Sequence, residues 1–159
     1  ETLCYEYRQK FELQTRVVRI FNTYGPGMDP DDGRVISNFL RNTLTNKPLV
    51  IYGDGLQTRS FCYVDDLIDA LCKSMHIDFS FPINIGNDNE ISLNELAKIL
   101  FDKYGENKII YANPNVDDPR LRKPDIQRAK EILKWSPTIS INKGIEKTYS
   151  YFKKKLIIN

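Results

Sequence analysis

Residues 48–67 read PLVIYGDGLQTRSFCYVDDL and carry the clearest indication of how the chain folds. Two short apolar runs, Leu49–Tyr52 and 61–64, have the length and composition of strands, and a GDG turn lies between them. Asp65 then stands at a position typical of a helix N-cap. The apolar positions expected on the inner face of that helix are Leu67, Ile68, Leu71 and Met75.

Helix and strand patterns alternate on both sides of this segment. The β-branched run 14–21, QTRVVRIF, predicts a buried parallel strand, and residues 82–85 and 108–111 predict two further short strands. Ser92 and Glu95 have the spacing of a capping box that opens a helix. Other helical patterns cover residues 1–11, 35–45, 126–133 and 141–154. Strands separated by helices predict an α/β fold with some parallel pairing.

The composition of the 159 residues is that of a soluble domain, or a large part of one, and 41% of them are hydrophobic. The formal net charge is only +2, so the charge does not indicate binding to nucleic acid or to an acidic membrane surface. No apolar run in the sequence approaches the roughly 20 residues of a membrane-spanning helix.

Cysteine and histidine usage argues against a metal site. The three cysteines, Cys4, Cys62 and Cys72, lack CxxC spacing and lie in apolar stretches, which predicts reduced, buried thiols. The single histidine, His76, argues against a histidine-based metal site or catalytic triad.

Arg34 stands at an unusual position in residues 24–39, YGPGMDPDDGRVISNF. It falls where a helix should begin, although the helix dipole disfavours a cation there. Just inside a helix start, its guanidinium can join free backbone N–H groups around a carboxylate or a phosphate. The alternative is a solvated arginine that pairs with Asp31 or Asp32.

Five motifs appear in the order and spacing of a known family, and together they span most of the chain. They are RIFNTYGP (19–26), DGRVISNF (32–39), residues 48–67, INIGN (83–87) and DDPRLRKPDIQRAKEILKW (117–135). The chain resembles the extended short-chain dehydrogenase/reductases that act on nucleotide sugars. The segment DGRVISNF narrows the resemblance to the UDP-glucuronate decarboxylase (UDP-xylose synthase) family.

The resemblance implies the C-terminal part of such an enzyme, with an incomplete NAD-binding Rossmann-type sheet and a nucleotide-sugar-binding subdomain. Residues 1–24 would hold the end of the catalytic helix and one strand of that sheet. Residues 25–159 would form mainly the nucleotide-sugar-binding subdomain, with 64–87 returning to the Rossmann domain. The family's Gly-rich loop is not found in this sequence, and its catalytic Tyr-x-x-x-Lys pair would precede residue 1, so we expect the chain alone to be inactive.

The chemistry implied by the family begins with oxidation of the sugar C4 hydroxyl by NAD. The resulting ketone is β to the C5 carboxylate, so carbon dioxide leaves and an enolate remains. Reprotonation and return of the hydride give UDP-xylose. The protein must supply a base, groups that stabilise the carboxylate and enolate, and groups that bind the diphosphate. Residues of this chain can supply the last two.

The resemblance also implies roles for individual residues. Arg34 would be an auxiliary catalytic and cofactor-binding residue near the nicotinamide. From its place after the GDG turn, we expect Arg59 to be displayed from a loop at a strand edge. It and Arg122 would bind the diphosphate, although a surface salt bridge is the ordinary alternative. The other implied ligand contacts are Thr23 (cofactor) and Asn22, Val50, Tyr52 and Gln57 (substrate). The alternatives are that Asn22 is a loop asparagine that makes a turn, and that Tyr52 is a half-buried strand tyrosine.

Two positions depart from the family's pattern. Gly27 replaces a common arginine, and Asp29 replaces a frequent histidine. A relative with another sugar specificity therefore stays open. Two further alternatives are a nucleotide-sugar enzyme that catalyses 4-epimerisation or 4,6-dehydration, and a non-catalytic nucleotide-sugar-binding remnant. The resemblance further implies a UDP-sugar substrate, a homodimer for the full-length enzyme, and a cytoplasmic location. A Golgi lumen location is the alternative if an anchor precedes this segment.

Overall fold

The computed structural model describes residues 1–105, 107–114 and 119–157. Helices and strands alternate along these residues. The helices are α1 Thr2–Phe11, α2 Val35–Leu44, α3 Val64–Met75, α4 Leu93–Tyr104, α5 Gln127–Ile132 and α6 Ile141–Ile157. The strands are β1 Val18–Ile20, β2 Thr23–Tyr24, β3 Leu49–Tyr52, β4 Thr58–Ser60, β5 Cys62–Tyr63, β6 Ile83–Ile85, β7 Glu90–Ser92 and β8 Ile109–Ala112.

The strands form paired ladders, most of which are parallel. β1 pairs with β6, β2 with β5 and β3 with β8 in parallel, whereas β4 pairs with β7 in the antiparallel direction. Parallel partners need a long connection, and helices supply it here. The predicted α/β fold with parallel pairing is confirmed.

Two apolar clusters form the core. The larger joins α2, α4 and α6 to one face of β3, where Leu49 and Ile51 are fully buried. The smaller lies between the β1–β6 pair, α3 and α5. Trp135 belongs to the smaller cluster, and its Nε1 donates to the carbonyl oxygen of Asp66 over 3.1 Å. Trp135 therefore serves as a core residue.

The predicted capping box at the start of α4 is confirmed. Ser92 Oγ accepts from the Glu95 backbone N–H over 3.1 Å, and the Glu95 carboxylate accepts from the Ser92 N–H over 2.8 Å. These reciprocal bonds satisfy two donors that a helix start leaves free. They fix the chain direction immediately after β7.

The predicted N-cap of α3 is wrong. Tyr63 occupies the cap position, and none of the described side chains caps this helix. The helix begins two residues earlier than predicted, and Asp65, in its first turn, is exposed and lies 3.3 Å from Lys147 Nζ. Ile68 and Met75, expected on the inner face, are also exposed. The buried carboxylate is that of Asp66.

The run 14–21 forms a shorter and more exposed strand than expected. Only Val18–Ile20 is extended in β1, and Arg19 and Ile20 are exposed. The prediction of a buried strand is wrong for this structure, since the described residues place a strand on only one side of β1. In the neighbouring helix α1 no residue is buried.

The cysteines are free thiols, as predicted, but only one of them is buried. Cys62 is buried in β5, Cys4 is half-buried and Cys72 is exposed on α3. The expectation of three buried thiols is therefore wrong, because an apolar sequence context does not fix which face of a helix a side chain occupies.

The thiols are expected to differ in reactivity. Burial, with a smaller contribution from Asp66, raises the pKa of the Cys62 thiol to about 12, so at pH 8 it remains protonated. We expect a maleimide at pH 8 to label Cys72 rapidly and Cys62 only after denaturation in urea, as measured by peptide mass spectrometry. Cys72→Ser should abolish the rapid label, and equal labelling of both cysteines in the native state would contradict the packing.

Among the described residues, no helix is long and apolar enough to cross a membrane. Within the same residues, no group of three or more histidine, cysteine or acidic side chains could hold a metal ion.

Candidate functional site

A cavity of about 300 Å³ opens where four parts of the chain meet. Its walls come from the end of β1 with β2, the start of α2, the outer face of β3, and β4. Seven predicted site residues line it: Asn22, Thr23, Arg34, Val50, Tyr52, Gln57 and Arg59. The structure therefore brings together residues from three separate sequence motifs.

Strand alternation in β3 supplies the apolar wall of the cavity. Leu49 and Ile51 point into the core, so Val50 and Tyr52 lie on the opposite, exposed face. An aliphatic and an aromatic side chain side by side can pack against a flat ring of a ligand.

Arg59 is a buried cation in the cavity wall. It lies in the middle of β4, opposite Ile91, and is only 8% exposed. Its Nη1 donates to the carbonyl oxygens of Thr58 and Pro119 over 2.7 and 2.8 Å. The expectation that a loop displays it is wrong, because the residues after the GDG turn pair at once with β7. The result is a fixed guanidinium beside the cavity, which suits an anionic ligand.

Gln57 is buried next to Arg59 and leaves one acceptor unused. Its Nε2 donates to the carbonyl oxygen of Tyr52, whereas its Oε1 has no hydrogen-bond donor among the described residues. An unpaired buried acceptor is costly. A ligand donor in the cavity could satisfy it after a small rotation of the amide.

Arg34 lies at the N-cap of α2, in an extended conformation, rather than inside the helix. Its Nε donates to Asp32 Oδ2 over 2.7 Å, and its Nη1 donates to the Thr23 carbonyl oxygen over 3.2 Å. The side chain is 59% exposed and borders the cavity. The observed pair with Asp32 agrees with the alternative, and the ligand contact of Arg34 stays a prediction.

Asn22 and Thr23 follow β1 and enter the cavity wall through β2. The Asn22 carbonyl oxygen accepts from the Cys62 N–H over 2.9 Å, and Thr23 Oγ1 donates to the Phe21 carbonyl oxygen over 2.9 Å. These bonds fix the backbone at the carboxyl end of a parallel strand, where α/β folds bind ligands.

Tyr24 follows Thr23; it is buried in the core and also lines the cavity. Its hydroxyl lies 3.4 Å from the Ile141 carbonyl oxygen at the start of α6. Burial raises the pKa of the phenol well above its usual value, so the group is neutral. Tyr24 thus connects the cavity wall with α6.

Arg122 is the predicted site residue that does not line the cavity. It is exposed. The segment that carries it runs beside β4, since the Thr58 N–H donates to the Arg120 carbonyl oxygen over 2.9 Å.

Sequence reasoning missed several cavity residues, among them Asn38 and Phe61. Asn38 is one helical turn beyond Arg34, so the four-residue spacing within DGRVISNF could have indicated it. Phe61 follows β4 directly, and its apolar character gave no indication beyond core packing.

The sequence model of the NAD dependent epimerase/dehydratase family matches residues 1–86. The chain belongs to this family.

The curated proteins that are similar to this chain include UDP-glucuronic acid decarboxylases. Decarboxylase 1 of Arabidopsis thaliana is 44% identical over 158 residues, which are 99% of this chain and 36% of that protein. Decarboxylase 5 of the same plant is 45% identical over 159 residues, covering 98% of this chain and 46% of that protein. The chain thus spans less than half the length of the curated relatives that it matches.

Solved structures show the same fold. The UDP-glucuronic acid 4-epimerase of Bacillus cereus, in complex with UDP-glucuronic acid and NAD, is 30% identical with a TM-score of 0.87. The match covers 97% of this chain and 50% of that one. The UDP-glucose 4-epimerase of Thermotoga maritima, with UDP-glucose, is 31% identical with a TM-score of 0.90 over 98% of this chain and 51% of that one.

Proposed function

We propose that this chain is the nucleotide-sugar-binding part of an NAD-dependent UDP-glucuronate decarboxylase that forms UDP-xylose and carbon dioxide. The observation that carries the proposal is the cavity that collects seven residues of the family's motifs. The 44% identity to a UDP-glucuronic acid decarboxylase supports the choice of substrate.

Different residues of the cavity bind different parts of the proposed ligand. Val50 and Tyr52 pack against the nucleotide, and Gln57 hydrogen-bonds to it. Arg59 binds the diphosphate, because its buried guanidinium is always charged and can donate to two oxygens. Arg122 approaches the same group from the adjacent segment.

The remaining cavity residues handle the sugar. Asn22 hydrogen-bonds to the hexose. Arg34 borders the cavity. It binds the carboxylate, and then the enolate that remains when carbon dioxide leaves. Stabilisation of that developing charge lowers the barrier to decarboxylation.

NAD would contact this chain only at one edge of the cavity. Arg34 and Thr23 border the cavity and would contact its nicotinamide end. When bound, NAD accepts the hydride from the sugar C4 and returns it at the end of the reaction. We propose that most of its binding groups, and the catalytic Tyr-x-x-x-Lys pair, belong to a part of the enzyme outside these residues. We propose that residues 1–24 and 64–87 belong to the cofactor domain, and that this chain alone does not turn over substrate.

The proposal includes the assembly and the compartment of the complete enzyme. We propose a homodimer, which the exposed apolar residues of α1 support: Leu3, Tyr5, Tyr7 and Phe11. The family resemblance favours the cytoplasm, with the Golgi lumen as the alternative.

A second candidate is 4-epimerisation of the same substrate. The similar Bacillus cereus structure is a UDP-glucuronic acid 4-epimerase, so the cavity walls are compatible with either reaction. Both reactions share the 4-keto intermediate, and they differ in whether carbon dioxide leaves.

Product analysis distinguishes the two. We expect the complete enzyme, given UDP-glucuronate and NAD, to release carbon dioxide and UDP-xylose in equal amounts, as measured by trapped carbon dioxide and by chromatography. Formation of UDP-galacturonate without carbon dioxide would establish the epimerase. Recovery of unchanged substrate, with binding retained, would support a non-catalytic protein.

A further inference from the structure

We propose that Asp32 is a positioning residue that holds the guanidinium of Arg34 at the cavity wall, with its free N–H groups available to a ligand anion. The inference rests on the proposed function, because it takes the UDP-glucuronate carboxylate as that anion. It adds a role for a carboxylate to which the comparisons give none.

Both carboxylate oxygens of Asp32 are committed to this neighbourhood. Oδ2 lies 2.7 Å from Arg34 Nε and 2.5 Å from its Nη2. Oδ1 accepts from the Arg34 backbone N–H over 3.0 Å and from the Ser37 hydroxyl. Only 17% of the Asp32 side-chain surface is exposed. The Ser37 hydroxyl and the Arg34 backbone N–H therefore fix the Asp32 carboxylate, which in turn fixes the Arg34 side chain.

The contacts of Arg34 leave part of its guanidinium for a ligand. An arginine side chain has five N–H donors. Nε and one donor of Nη2 face Asp32, and one donor of Nη1 faces the Thr23 carbonyl oxygen. With the described residues this leaves one N–H on each terminal nitrogen. An N–H group on each terminal nitrogen can donate to the two oxygens of a carboxylate.

A positioning group is needed because Arg34 is long and 59% exposed. A free arginine loses rotamer entropy when it is immobilised. Asp32 and Thr23 fix the side chain before the ligand arrives, so less of the binding free energy is lost to ordering.

The charge of Asp32 is maintained by the same contacts. Burial acts in the opposite direction, but hydrogen bonds from Ser37 and Arg34 outweigh it and hold the pKa of the Asp32 carboxyl below its usual range.

Asp31 provides a matched control. It is the adjacent aspartate, its side chain is 71% exposed, and it pairs with Arg41 rather than with Arg34. A change at Asp31 removes the same charge from the same loop but leaves the Arg34 contacts in place.

The test measures how strongly the 159-residue chain prefers UDP-glucuronate to UDP-glucose, which differ by the carboxylate, in calorimetric titrations. We expect Asp32→Asn to reduce this preference about tenfold, in line with the loss of a charge-assisted hydrogen bond. Asp31→Asn should keep it. Equal weakening of both ligands by Asp32→Asn, or an unchanged preference, would overturn the inference.

A second experiment separates positioning from a general effect on folding. We expect Arg34→Ala to remove the preference for UDP-glucuronate. Added guanidinium chloride at millimolar concentration should restore it, because Asp32 is still present and can bind the small cation. The double variant Asp32→Asn with Arg34→Ala should not be restored; restoration there would overturn the inference. Absence of any preference in the unaltered chain would instead contradict the proposed carboxylate contact of Arg34.

Discussion

Replacement of Arg59 by methionine is expected to weaken binding of UDP about 10- to 100-fold. The guanidinium is buried beside the cavity and held by the carbonyl oxygens of Thr58 and Pro119, so it donates from a fixed position. A hydrogen bond to a charged group contributes about 1.5–3 kcal/mol, which corresponds to that range of affinity. Calorimetric titration of the variant with UDP measures the loss.

Two variants control this prediction. Arg59→Lys keeps the charge but not the planar fork, so we expect an intermediate loss. Arg120→Met removes an exposed arginine that lies 3.4 Å from Asp54, and it should leave the affinity unchanged. If Arg59→Met bound UDP as tightly as the unaltered chain, the cavity would not be the diphosphate site.

Asp66→Ala is expected to lower the free energy of unfolding by about 2–4 kcal/mol. The buried carboxylate accepts from the Thr138 N–H over 3.1 Å, the Thr138 hydroxyl over 2.9 Å and the Ile139 N–H over 3.0 Å. Its removal leaves these donors without a partner, and each unsatisfied group costs about 1–3 kcal/mol where water is excluded. Urea denaturation followed by circular dichroism measures the change.

Asp65→Ala is the matched control, because Asp65 is adjacent, exposed and engaged only with Lys147 among the described residues. An exposed ion pair of this kind contributes roughly 0–1 kcal/mol. Similar destabilisation by both variants would show that the loop 138–139 does not depend on Asp66.

Local patterns predicted much of the fold. The capping box of Ser92 and Glu95, and the amphipathic helix α2, follow from the order of neighbouring residues and are found as expected. The candidate site was found through motifs: seven of the eight implied residues meet in one cavity, although periodicity alone gives no reason to bring them together.

The errors share a physical cause, which is that partners distant in the sequence decide which side of an element is buried. Asp65 and Asp66 are equivalent candidates from composition, but only Asp66 faces the loop after Trp135. Arg59 was predicted to lie in a loop because its ladder partner, Ile91, is far along the chain and its neighbours in the sequence do not indicate the pairing. Cys72 is exposed because its side of α3 has no described neighbour that covers it.

The contact between Tyr24 and α6 makes the shape of the cavity sensitive to a distant glycine. A side-chain carbon at Gly144 would collide with the Tyr24 hydroxyl and with the ring of Tyr63. Thr23 and Tyr24 are consecutive, so a displaced tyrosine ring would shift the backbone carbonyl that Arg34 contacts. Gly144 does not line the cavity, yet the spacing between the two walls of the cavity depends on its lack of a side chain.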